Sequence, residues 1–116
     1  MSGKMIFGPE HRLATYGTLA PGRANERQLS MMRGRWTVGT VRGHLKDAGW
    51  GSAMGYPGII LDPAGPEVEV HVFEAKDLPV HWARLDAFEG EGYRRVETDV
   101  DVSGVSFRVF IYELAL

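Results

Sequence analysis

Ser103-Gly104 is the feature that most restricts how this chain can fold. It stands between two runs rich in β-branched and aromatic residues, Tyr93 to Val102 and Val105 to Leu114. A two-residue connection of this kind between such runs specifies a β-hairpin, and the turn sets the register. Val102 then pairs with Val105, Val100 with Phe107, Thr98 with Val109 and Val96 with Ile111. One face of the hairpin is therefore almost wholly apolar and has to meet the core. The other face pairs Asp99 with Arg108 near the turn and gathers Tyr93, Arg95, Phe110 and Tyr112 at its far end. Arg95 falls opposite Tyr112.

The preceding stretch, K-D-L-P-V-H-W-A-R-L-D-A-F-E-G from Lys76 to Gly90, reads as one short helix over about 78–89. Asp77 is the expected N-cap, Pro79 suits the first turn because its missing N–H would have no intrahelical partner, and Gly90 suits the left-handed stop. At about 100° per residue, Leu78, Trp82 and Leu85 share one arc, and Glu89 projects into the middle of it. Desolvation there, together with the partial negative charge of the helix C-terminus, would raise the pKa of Glu89 and suit it to acid–base work. The competing reading leaves Glu89 frayed into water, as expected of Glu91 beyond the glycine. Asp86 points about 60° away, toward the helix flank, so a carboxylate dyad is not expected and Glu89 remains the single candidate acid or base.

Upstream, Leu13 to Leu19 reads as a first strand running into the Ala20-Pro21-Gly22 loop. Asn25 and Gln28 form a variant capping box opening a helical segment to about Met32, with Leu29 and Met32 packed as core. Arg35 to Lys46 reads as one strand, bulged or bent at Gly39 and Gly43. Asp47 to Gly55 is a glycine-rich loop in which Trp50 is either a lid or a surface patch. Tyr56-Pro57-Gly58 leads into the strand Ile59-Ile60-Leu61, and after Gly65-Pro66 the alternation of Val68, Val70 and Val72 with Glu67, Glu69 and His71 marks a half-buried strand. Strands do not alternate regularly with helices, which argues against a doubly wound parallel sheet. The expected fold is α+β: a small mixed β-barrel or strongly curved sheet with one or two flanking helices.

The 116 residues suffice for a single domain with one core, expected over residues 13–116, with residues 1–12 as an N-terminal extension. A net charge of −2 provides no basic surface for nucleic acid or an anionic membrane. With no cysteine there is no disulfide, no thiolate metal site and no cysteine nucleophile. The histidines show no metal-ligand spacing, and no nucleophile elbow or phosphate-binding glycine loop is present. The apolar run Met5 to Phe7 is too short for a signal-peptide core or a membrane span, so a cytoplasmic protein is expected.

Tyr16-Gly17-Thr18-Leu19 followed by A-P-G and Asn25, then G-Y-P-G-I-I-L from Gly55, then L-D-A-F-E-G-E-G-Y-R-R-V from Leu85, resemble the γ-glutamylcyclotransferase-like (AIG2-like) family over residues 13–114. The resemblance implies a compact mixed barrel whose cavity is lined by the Tyr16 to Leu19 loop and by Glu89. It implies an enzyme that releases a γ-glutamyl group as 5-oxoproline, the substrate's own α-amine attacking its γ-carbonyl, with Glu89 as general base and then acid. The small-molecule γ-glutamyl compound is the implied partner, and neither metal nor other cofactor is required. Backbone N–H groups of Gly17, Thr18 and Leu19 would hold a carboxylate or oxyanion. Tyr16, Tyr56, Tyr93, Arg95 and Tyr112 would complete the substrate-binding wall, Tyr93 and Arg95 mainly as braces. Relatives often carry Gly-Glu where this chain has Val70-His71. A non-catalytic module that binds a small molecule in the same pocket is the alternative.

Overall fold

A computed structural model describes residues 8–16, 27–46 and 58–115. Its elements are β1 (Arg12–Thr15), α1 (Arg27–Ser30), β2 (Gly34–Lys46), β3 (Gly58–Leu61), β4 (Glu67–Ala75), α2 (Trp82–Glu89), β5 (Tyr93–Val102) and β6 (Val105–Leu114). A 3-10 turn at Pro9–His11 precedes β1, and another at Leu78–His81 leads into α2. The strands follow the order β3-β2-β4-β1-β6-β5, and a pairing of β2 with β5 at Thr40 and Asp101 closes five of them into a barrel with β3 as the extra strand. β1 runs parallel to β6 and every other paired strand is antiparallel, so the barrel is mixed, as expected.

The closing hairpin has the expected register throughout, from Tyr93 opposite Leu114 to Val102 opposite Val105, with no bulge. Ser103 (φ 53°) and Gly104 (φ 86°) both take positive φ, the conformation that matches the twist of tightly linked strands. The Asp101 carboxylate accepts the Gly104 N–H at 2.8 Å.

Three expectations need correction. β2 is one unbroken strand rather than a bulged one: Gly34 through Arg42 pair in sequence with Ala75 through Glu67 of β4, after which Gly43 to Lys46 pair with β3. Its glycines answer to crowding. A Cβ on Gly39 would lie 2.7 Å from the Asp101 carbonyl oxygen and one on Gly43 2.6 Å from that of Ile60. The expected helix over 78–89 begins as a 3-10 turn, in which the Asp77 carbonyl accepts the Val80 N–H at 3.2 Å and the Asp77 side chain caps nothing. Finally, the single expected core is two clusters, one on each side of the barrel wall.

The period of two along each strand produces this division. Ala14, Val41, Val68, Val70, Val72, Val100, Val109 and Ile111 fill the inner cluster, which Ile59 of β3 joins. Leu13, Phe73, Ala75 and Tyr112 point outward and meet Leu29, Met32, Leu78, Trp82 and Leu85 from the helical segments. Gln28 is tied to α2: Arg84 donates to its side-chain oxygen at 3.0 Å and to its carbonyl at 2.9 Å, while the Asn25 half of the expected capping box lies outside the described residues. Among the described residues no helix is long and apolar enough to cross a membrane.

Candidate active site

Helix α2 is fixed against the barrel by its apolar stripe. Leu78, Trp82 and Leu85 are buried, and the Trp82 indole N–H donates to the Glu10 carbonyl at 2.9 Å. Glu89 continues the stripe one turn later and is the last residue of the helix. Gly90 ends it with φ 82° and ψ −173°, a conformation open essentially to glycine alone, and its N–H returns to the Asp86 carbonyl at 3.0 Å. Glu91, beyond the glycine, is exposed as expected.

Glu89 is only partly exposed, and burial pushes its carboxyl up to about 7. Among the described residues no group donates a hydrogen bond to that carboxyl or forms an ion pair with it. Three phenols surround it closely enough to feel its charge: Tyr16 at the end of β1, Tyr93 on β5 and Tyr112 on β6. Burial is the main cause by which each of them is held above its ordinary range, and the negative charge of Glu89 adds to the effect.

Arg95 does not pair with Glu89. Its guanidinium makes a forked contact with Asp86, Nε to Oδ1 at 2.8 Å and Nη2 to Oδ2 at 3.1 Å, while lying 4.4 Å from the Trp82 ring centre and 4.8 Å from that of Phe110. The Tyr112 hydroxyl donates to the same carboxylate at 2.6 Å. These donors, with Arg95 the stronger, hold Asp86 below the usual carboxylate range. Two carboxyls one helical turn apart are thus displaced in opposite directions.

The Tyr16 hydroxyl is also committed. It donates to the Tyr112 carbonyl and accepts the Ile59 N–H at 3.2 Å, binding β1, β6 and β3 together. Beside it Glu113 is buried, accepting Arg94 Nε at 3.1 Å and the Leu61 N–H at 3.4 Å. An open recess of about 650 Å³ borders the helix end between Asp86, Gly90, Tyr93, Arg95 and Tyr112; Glu89 is not part of its wall.

Of the residues expected at the site, Glu89, Tyr16, Tyr93, Arg95 and Tyr112 come together at this end of the barrel, with Arg95 and the Tyr112 hydroxyl directed to Asp86. Gly17, Thr18, Leu19 and Tyr56 lie outside the described residues, as do Asn25 and Trp50. Val70 is buried in the inner cluster opposite Gly39, and the carbonyl of His71 accepts the Thr15 hydroxyl at 2.9 Å. Sequence reasoning missed Asp86 as an acceptor and Glu113 as a buried acid. The signal for Asp86 was present in the hairpin register, which aligns Arg95 with Tyr112 beside the helix end.

Residues 13–116 match the family model described as gamma-glutamyl cyclotransferase, AIG2-like. No curated protein matches the sequence. Among solved structures, an AIG2-like protein from Mus musculus aligns with a TM-score of 0.71 and 24% identity over 90% of this chain and 77% of the mouse chain. YkqA from Bacillus subtilis aligns with a TM-score of 0.70 and 23% identity over 91% of this chain, which spans 36% of YkqA. The uncharacterized protein PH0828 from Pyrococcus horikoshii aligns with a TM-score of 0.60 and 20% identity over 89% of this chain and 76% of its own. These structural likenesses establish the fold.

Proposed function

We propose that this chain, which belongs to the gamma-glutamyl cyclotransferase, AIG2-like family, is a cyclotransferase acting on a small γ-glutamyl compound. The observation that carries the reading is the Glu89 carboxyl, raised to about 7 by burial and left without a hydrogen-bonding partner among the described residues. A carboxyl with a pKa near neutrality can both take and return a proton.

In the proposed reaction the α-amine of the substrate attacks its own γ-carbonyl carbon. A C–N bond forms, closing the five-membered ring, and Glu89 takes the proton that the attacking nitrogen loses. The C–N bond to the departing amine then breaks as Glu89 returns the proton to that nitrogen. The products are 5-oxoproline and the free amine or amino acid. Nucleophile and electrophile belong to one molecule, so holding it in the folded geometry supplies much of the rate. The backbone N–H groups of Gly17, Thr18 and Leu19 would receive the oxyanion or the substrate carboxylate.

The test is to incubate the protein with γ-glutamyl amines, γ-glutamyl amino acids and γ-glutamyl peptides and to measure 5-oxoproline. Release from at least one class is expected, and Glu89→Gln should lower it by roughly 10²–10⁴-fold. Tight binding of one compound with release from none would assign the protein instead to the small-molecule binding role.

A further inference from the structure

The geometry points to Asp86 as a positioning residue: it engages the Arg95 guanidinium and the Tyr112 hydroxyl so that neither reaches the Glu89 carboxyl, and the base keeps its proton affinity. This rests on the reading of Glu89 given above.

Asp86 and Glu89 stand three residues apart on one helix, close enough to compete for the same donors. Among the described residues the groups facing this helix end are Tyr16 just after β1, Tyr93 and Arg95 from β5, and Tyr112 from β6. The Tyr16 hydroxyl is spent on the Tyr112 carbonyl. Arg94, the neighbouring cation, is held by Glu113 at 3.0 Å, and Glu91 is exposed. Among the described residues Arg95 is the cation that contacts this last turn of the helix, and Asp86 holds it by two contacts of 2.8 and 3.1 Å while Trp82 and Phe110 contact its guanidinium. The forked contact is the strong form of this pairing. The 2.6 Å bond from Tyr112 to Asp86 commits a second donor to the same carboxylate. Consistent with this, burial is the one cause displacing Glu89, with no cation opposing it.

Removing the Asp86 charge would leave Arg95 uncompensated and free the Tyr112 hydroxyl. Both changes favour ionised Glu89 and weaken it as a base. Removing Arg95 instead would leave Asp86 as an uncompensated anion, which disfavours ionised Glu89. The two substitutions thus act with opposite signs, which loss of structure alone would not produce.

The experiment is a ¹³C-detected NMR titration of the Glu89 side-chain carboxyl in the full chain, for the wild type, Asp86→Asn and Arg95→Met, with the pH profile of 5-oxoproline release recorded alongside. The Glu89 pKa is expected to fall by about half a unit or more in Asp86→Asn and to rise by a similar amount in Arg95→Met. The acidic limb of kcat/KM should move with it. If Asp86→Asn does not fold, Arg95→Met decides: an upward shift supports the inference, and none or a downward one overturns it. Shifts of the same sign, or changes under about 0.2 unit in both variants, overturn it as well. Opposed shifts with no turnover of any γ-glutamyl compound would sustain the role of Asp86 and count against the cyclotransferase reading. Turnover with an unmoved Glu89 would do the reverse.

Discussion

Glu89 occupies a helical position that the neighbouring pattern reserves for an apolar side chain, and this has a consequence for stability. Its carboxyl is raised from 4.5 to about 7 in the folded protein, so the native state keeps a proton that the unfolded chain gives up at lower pH. The contribution of that proton to stability is fully present below pH 4.5, falls as pH rises toward 7, and is gone above it. Because the carboxyl is partly enclosed, the loss at pH 8 is on the order of 2 kcal/mol. Glu89→Gln removes the ionisation. Its Tm should exceed that of the wild type by about 5–10 °C at pH 8 and by less than about 2 °C at pH 4. A scanning calorimetry series across this range checks it, and a Tm lowered at both ends would mean that the carboxylate has stabilising partners.

Among the elements, β2 bears the greatest geometric demand, because it pairs with β4, β3 and β5 in turn. The barrel closes at Thr40 opposite Asp101, and the residue before Thr40 is Gly39. A methyl group there would meet the Asp101 carbonyl oxygen at 2.7 Å and the Val102 side chain at 2.9 Å, and a backbone carbonyl has little freedom to move aside. Gly39→Ala is therefore expected to destabilise by about 1–3 kcal/mol in urea unfolding, despite the ordinary preference of strands for residues other than glycine. An equal or raised midpoint would show that β5 can retreat without cost. Gly90 poses the opposite case. A Cβ there would touch nothing within 4 Å, and the constraint is its φ of 82° alone.

At the scale of the whole molecule, Tyr16 joins parts that the barrel ladder leaves separate. Its one hydroxyl serves the Tyr112 carbonyl of β6 and the Ile59 N–H of β3, the strand outside the closed barrel. Tyr16→Phe would orphan both backbone groups, at a cost of about 2–4 kcal/mol. Amide exchange should accelerate at Ile59 more than at Val41 or Val109 in the inner cluster, since β3 would loosen before the barrel opens. Unchanged protection at Ile59, or a stability loss under about 0.5 kcal/mol, would remove Tyr16 from this bracing role.

The sequence by itself determined what depends on neighbours in the chain or on a turn. Ser103-Gly104 set the register of β5 on β6, and alternation along β4 identified Val68, Val70 and Val72 as inward-facing. The spacing of Leu78, Trp82 and Leu85 put Glu89 on the buried face of its helix, and with it the sign of its pKa shift. Tertiary structure alone decided what depends on distant segments meeting. The closing of β2 on β5 explains Gly39 as a point of close approach rather than a bulge. The two-sided wall turned one expected core into two, because helical segments cover the outer face while alternate residues fill the inside. At the site, the decisive arrangement is the capture of Arg95 by Asp86 across the gap between α2 and β5. Both residues are visible in the chain, but which carboxylate takes the guanidinium depends on how the helix is rotated against the barrel, and burial of Trp82 and Leu85 sets that rotation.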